Sequence, residues 1–251
     1  MTLKLIAQRL LRAAWVVLAF VAGLLIITLT SMVIKHVAPV RGRKFLSTTK
    51  HLWCMSVVWI LGVRVKKHGQ WMPPPGLMVS NHISWLDIIV LGSQGHISFV
   101  AKQEVAEWPV VGYLADGAGT LFLRRGDRDS AREVSAEMSA RIRAGEFVVF
   151  FPEGTSSSGA SVLRFHGRLF QSALDAGVDV QAIGIAYRGA AHSVVPFVGD
   201  DEFLPHLWGV MALPEIQVDL YFCPPVASVN QDRKGLADCT HQQIRDALHL
   251  D

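Results

Sequence analysis

The stretch Leu77–Asp87, LMVSNHISWLD, decides how the rest of this chain reads. It leaves a short apolar run, LMVS, which predicts a buried strand, and enters a polar turn that leads into the apolar positions of a helix. Polar side chains at such a junction emerge at the carboxyl end of a strand, where α/β sheets place their sites. His82 and Asp87 are five residues apart, about 140° around one helix, so His82 must stand on the turn before the helix for Asp87 to reach it. An aspartate in that position holds one imidazole nitrogen and leaves the other to take a proton from a bound hydroxyl. Ser84 and Asp87 also carry capping-box spacing, so a purely structural start to the helix is the other reading.

Downstream, short apolar runs alternate with amphipathic ones, the pattern of an α/β domain. Strands are expected at 77–80, 97–101, 120–124, 146–151, 180–187 and 216–222, and a charged surface helix over 127–145, stopped by Gly145. The expected fold is a mixed central sheet flanked by helices.

Upstream, the 22 residues between Arg12 and Lys35 carry no charge, enough for a helix to cross a bilayer core or to dip in and return as a hairpin. A second apolar stretch, Leu52–Val63, holds Trp53 and Trp59 and is too short to span; it reads as an interfacial helix over about 45–62 or as a buried helix of the soluble part. The expected organisation is a membrane-anchoring segment over 1–67, with the membrane helix at 13–34, followed by a catalytic domain over 68–251.

Charge follows the same division. Residues 1–86 hold eleven Lys and Arg and no acid, whereas 87–251 hold 13 basic against 21 acidic residues, a balance of −8. A cationic, apolar N-terminal part suits the anionic cytoplasmic face of a membrane. Three basic residues precede the 13–34 segment and five follow it by Lys50, which favours a cytoplasmic catalytic side and an inner-membrane location. No nucleic-acid motif accompanies these charges. Cys54, Cys223 and Cys239 form neither a disulfide framework nor a zinc pattern.

Two further motifs carry chemistry. Phe150–Gly159, FFPEGTSSSG, leaves an apolar strand for small turn-forming residues whose N–H groups and hydroxyls suit an anion, or serve as a plain loop. Gly119–Arg125, GTLFLRR, ends a strand with two guanidinium groups suited to phosphate or to solvent. There is no G-x-S-x-G, no phosphate-binding G-x-x-x-x-G-K-[ST] and no H-E-x-x-H, so serine hydrolase, nucleotide and zinc chemistries lack their signatures.

In this order the three motifs resemble the glycerolipid acyltransferase family that acylates lysophosphatidic acid and related lysolipids. Asn81, His82 and Asp87 match its N-H-x-x-x-x-D motif; Gly119, Phe122 and Arg125 its glycine, apolar, arginine motif; Phe151 to Thr155 its F-P-E-G-T motif. Lys102 and Glu104, followed by Pro109 and Gly112, look like its intervening segment. The resemblance implies that His82, aided by Asp87, activates the lysolipid hydroxyl for direct attack on an acyl thioester from acyl-coenzyme A or acyl carrier protein, with no cofactor or metal. It implies that Asn81, Lys102, Arg125, Glu153, Gly154 and Thr155 bind substrate. Two departures bear on the acceptor: Ser156 stands where the family has arginine, and Arg164, Phe165 and His166 replace its P-F-K. The intact Arg125 and F-P-E-G-T loop favour lysophosphatidic acid; Ser156 and the stretch Gly199–Val210 leave a lyso-ornithine lipid or another lysophospholipid as the alternative. An inactive membrane-binding scaffold on the same fold is the non-enzyme alternative.

Overall fold

The computed structural model describes residues 3–34 and 39–250, with side chains for 6–30 and 45–250. Lys4, Lys35, Arg41, Arg43 and Lys44, on which the orientation reading leans, lie outside the described side chains. Seven strands form one sheet: β1 (Val63–Gly69), β2 (Gly76–Ser80), β3 (Ile97–Lys102), β4 (Leu121–Leu123), β5 (Phe147–Phe150), β6 (Val180–Arg188) and β7 (Ile216–Phe222). Their order is β1-β7-β6-β2-β5-β3-β4. Only β6 and β7 pair antiparallel among these strands, so the sheet is mixed.

Helices α1 (Leu3–Ile34) and α2 (Pro39–Leu61) precede the sheet; α3 (Leu86–Gly92) follows β2; α4 (Gln103–Ala106) and α5 (Val111–Gly117) follow β3. Then come α6 (Arg128–Arg143), α7 (Gln171–Ala176), α8 (Ala191–Val194), α9 (Phe203–Val210) and α10 (Arg233–Leu248). Asp127 caps α6 by accepting from the N–H groups of Asp129 and Ser130, satisfying two of the donors that a helix start leaves free.

Side chains alternate across the strands and build two cores. Met78, Phe147, Val149, Ile183 and Ile185 pack with α1, α2, α3 and α9 on one face. On the other face Leu77, Val79, Val148 and Phe150 meet Val134, Met138 and Ile142 of α6 and Leu236 and Ile244 of α10. Both faces are covered, which is why β2 and β5 read as continuous apolar runs.

Two expectations need correction. The sheet begins before residue 68: Val63–Gly69 is a strand paired in register with Ile216–Phe222, so the expected boundary at 67 and 68 cuts through β1. The N-terminal helix also begins ten residues before 13, because Arg9 and Arg12 are not left in water. Arg12, 9% exposed, donates to the carbonyls of Leu213 and Pro214, and Arg9 donates to that of Trp208 while lying 4.1 Å over its ring. At the far end of α1, Thr28 bonds the Tyr113 hydroxyl at 3.0 Å, and Ile27 lies so close to Gly117 that a Cβ there would meet it at 2.2 Å.

The helix is therefore fastened to the sheet domain at points 19 residues apart, roughly 29 Å along its axis. It lies along the domain, with α2 folded back against it through Trp53, whose Nε1–H donates to Ala19 O at 2.8 Å. Cys54, Val57 and Leu61 of α2 are buried, whereas Leu52, Met55 and Trp59 are exposed, so α2 combines a core face with a lipophilic outer face.

Candidate active site

Strands β2 to β6 all run in one direction, so their carboxyl ends share one edge of the sheet. The turn after β2 supplies His82, the end of β3 Lys102, the loop after β4 Arg125, the loop after β5 Glu153 to Ser157, and the end of β6 Tyr187. Motifs separated by up to about a hundred residues are thereby brought to one place.

His82 Nδ1 lies 2.8 Å from Asp87 Oδ2. The same oxygen accepts the backbone N–H groups of Ile83 at 2.6 Å and Ser84 at 2.9 Å. An acceptor so loaded with donors makes Nδ1 the protonated nitrogen, leaving Nε2 with its lone pair. The imidazole stacks on the Phe151 ring, centroids 4.0 Å apart. Its backbone is held at both ends: the His82 N–H donates to Glu153 Oε1 at 2.9 Å, and its carbonyl accepts from Ser157 N at 2.8 Å. The ring is thus fixed before any substrate arrives. The capping box is half made, for Asp87 accepts from Ser84 N while Ser84 Oγ has no partner among the described residues.

The remaining predicted site residues divide. Lys102, Arg125, Gly154 and Thr155 line the same cavity as His82. Burial, then the charge of Arg125, lowers the Lys102 ammonium pKa, while Glu104 opposes the shift. Gly154 turns the loop at φ +68°, and a Cβ on it would lie 3.6 Å from His166; the left-handed backbone is what demands glycine here.

Asn81 belongs elsewhere. It is 1% exposed, its Oδ1 accepts from Ile185 N at 2.7 Å and its Nδ2 donates to Ile185 O at 3.0 Å. This is a staple between the end of β2 and β6, with no group left for substrate. Glu153 likewise has both oxygens engaged, by His82 N and by Leu163 N at 3.1 Å. It is 4% exposed, and burial pushes its carboxyl up to about 7, against the pull of those two N–H groups. Its carboxyl group ties the loop to the His82 turn, and the residue also lines the cavity.

The cavity has a volume of about 1160 Å³. Its lining includes apolar side chains, Val16, Phe20 and Ile27 of α1, Trp53 and Val57 of α2, and Phe99 and Leu114, and the basic side chains of Lys50, Lys102, Arg125, Arg164, His166 and Arg168, with His82 among them. Such a lining offers apolar surface together with groups suited to an anion. Arg164 and Arg168 line the same cavity as Ser156, which stands where the family has an arginine, while Ser156 itself donates its hydroxyl to Phe197 O.

Tyr187 escaped the sequence reading. Its hydroxyl donates to Asp87 Oδ1 at 2.8 Å. The available signal was a phenol inside an otherwise apolar strand, since a buried tyrosine needs a partner for its hydroxyl.

Comparison with known proteins finds relatives over most of the chain. The family described as Acyltransferase matches residues 64–186. Over 198 residues the chain is 40% identical to a lyso-ornithine lipid O-acyltransferase of Pseudomonas aeruginosa, covering 78% of this chain and 76% of that one. It is 33% identical over 188 residues to a 1-acyl-sn-glycerol-3-phosphate acyltransferase of Neisseria gonorrhoeae, covering 74% of each. The crystal structure of the 1-acyl-sn-glycerophosphate acyltransferase PlsC from Thermotoga maritima superposes with a TM-score of 0.71 over 98% of this chain and 95% of that one, at 18% identity, a likeness of fold.

Proposed function

Since the chain belongs to the Acyltransferase family, we propose that it moves a fatty acyl group from a thioester to the free hydroxyl of a lysolipid, at a site where His82 is the base. One observation carries the mechanism: His82, held by Asp87, lines a large cavity whose walls include both apolar side chains and several basic ones. Nε2 takes the proton as the hydroxyl oxygen attacks the thioester carbonyl; the tetrahedral intermediate then expels the thiolate, which receives that proton from the imidazolium. The carboxylate of Asp87 stabilises the imidazolium. General-base help of this kind contributes about 10²- to 10⁴-fold in rate. The thiol carrier is coenzyme A or acyl carrier protein, and no cofactor takes part in these steps.

The α1–α2 hairpin places the site at a membrane. Leu11, Trp15, Leu18, Leu25 and Leu29 of α1, with Trp59 of α2, are exposed to the outside of the domain, more contiguous apolar surface than a soluble protein leaves in water. With α1 fastened along the domain, the hairpin enters one leaflet and lets a lysolipid reach the cavity from the bilayer. The face is the cytoplasmic one, in keeping with the basic N-terminal part.

Two acceptors fit. Lysophosphatidic acid is favoured by Arg125 and the retained F-P-E-G-T loop. Lyso-ornithine lipid is favoured by Ser156 and by the identity to the Pseudomonas aeruginosa protein. Purified protein in detergent, given a labelled acyl thioester and both acceptors, should form a diacylated product from one or both. No product from either lysolipid with any thioester would contradict the proposal.

A further inference from the structure

Asp87 sits on two networks. Its Oδ2 gathers His82 and the turn, while its Oδ1 receives, among the described residues, one donor, the Tyr187 hydroxyl at 2.8 Å. Tyr187 projects from the carboxyl end of β6 on the same face as Ile183 and Ile185, and is 2% exposed. Its register is set by pairing with Val218 of β7, and Asn81 staples the neighbouring Ile185 to the end of β2. The hydroxyl is thus delivered to Asp87 by the central sheet.

We infer that Tyr187 is a positioning residue of the reaction: through its hydrogen bond it locks the rotation of the Asp87 carboxylate and draws part of that negative charge away from His82. Without the hydroxyl the carboxylate turns more freely about its side chain, and more of its charge falls on Oδ2, beside the imidazole. The phenol keeps its proton in this role, because burial and then the Asp87 charge raise its pKa well above the ordinary value. The inference rests on the reading of His82 as base.

The charged groups around the pair come from three sides: Glu153 from the loop after β5, Tyr187 from β6, and Lys102, Arg125, Arg164 and His166 from the cavity. Glu153, held at about 7, titrates in the working range. The Asp87 charge adds to that rise, so the pH profiles are also compared in a Glu153→Gln background, which removes this titration while keeping Asp87 and Tyr187.

The test compares three proteins in detergent across pH 5 to 9: wild type, Tyr187→Phe, and a protein carrying 3-fluorotyrosine at 187, whose more acidic hydroxyl donates more strongly in the same shape. Tyr187→Phe should lower kcat about tenfold, the scale of one lost hydrogen bond to a charged group. KM for both substrates should stay within about twofold. The acidic limb of kcat/KM should move to higher pH with phenylalanine and to lower pH with fluorotyrosine. In an Asp87→Ala background, Tyr187→Phe should add less than about twofold, as expected for one coupled unit. A wild-type kcat and an unmoved limb in folded Tyr187→Phe would overturn the inference, as would limbs that move the same way in both proteins. Should Tyr187→Phe fail to fold, the fluorotyrosine protein carries the test alone. An active His82→Ala would instead remove the base reading itself, whereas an inactive His82→Ala beside a wild-type-like Tyr187→Phe would fail only this inference.

Discussion

Asp87→Asn separates the charge of this residue from its geometry. The carboxylate accepts four bonds, three N–H groups on Oδ2 and the Tyr187 hydroxyl on Oδ1. An asparagine can place its carbonyl oxygen where Oδ2 stands and keep all three N–H groups. Its amide then faces Tyr187, whose hydroxyl can rotate to accept. The turn, the tautomer and the ring orientation survive, and what disappears is the negative charge beside the developing imidazolium. With the charge centres roughly 4 Å apart and an effective dielectric constant of about 20, that pair is worth about 4 kcal/mol, so kcat should fall on the order of 10³-fold. Asp87→Ala is the contrasting variant: it strips acceptors from the buried N–H groups of Ile83 and Ser84, at about 1–3 kcal/mol each. Single-turnover acyl transfer with a labelled thioester, alongside thermal unfolding in the same detergent, reads both quantities. The expected pattern is a near-wild-type Tm with severely reduced kcat for Asp87→Asn, and a lowered Tm for Asp87→Ala. An Asp87→Asn protein that kept more than about a tenth of wild-type kcat at normal Tm would refute the electrostatic reasoning, since 4 kcal/mol is far more than tenfold.

Glu153 gives a pH signature. Its carboxyl holds the proton more tightly folded, at about 7, than at its ordinary 4.5, so its contribution to stability is full below about 4.5 and gone above about 7. Glu153→Gln lacks this titration, and its Tm relative to wild type should rise as pH goes from 4.5 to 7, whereas a flat difference would place the proton elsewhere. Arg125→Ala should mainly weaken acceptor use, by about 1.5–3 kcal/mol in kcat/KM for the acceptor, with Arg125→Lys recovering only part; equal losses for both substrates would argue against a head-group role. Ser156→Arg should leave or improve KM for lysophosphatidic acid if that is the acceptor, and reduce activity on a lyso-ornithine acceptor, where the new charge enters unpaired. Arg12→Ala should lower Tm by breaking its bonds to Leu213 and Pro214, and an unchanged Tm would mean that α1 is not fastened there.

The strands of the sheet centre were legible because they are buried on both faces and read as unbroken apolar runs. β1 was not, since VRVKKHG is an edge strand whose outward positions carry Arg64 and Lys66, and charge on an edge is how sheets avoid pairing with other chains. Helices of four to eight residues, such as α4, α5 and α8, are too short to show a period. In the site, local spacing was enough to put His82 on the turn and Asp87 on the helix. It could not say where a polar side chain points, so Asn81 and Glu153 read as substrate contacts although their partners are the backbone of Ile185, His82 and Leu163. Tyr187 stayed hidden because its bond to Asp87 spans a hundred residues of sequence.

The central claim is that Nε2 of His82 removes the proton from the lysolipid hydroxyl, and it is tested most directly by single-turnover acyl transfer with His82→Ala at saturating lysolipid. The side chain touches Asp87 and Phe151 and belongs to neither core cluster, so the variant should fold, fractionate with membranes and bind acceptor as wild type does. Its transfer rate should fall by at least about a hundredfold, the lower bound of general-base catalysis. A folded His82→Ala protein that kept more than about a tenth of the wild-type rate would contradict the account.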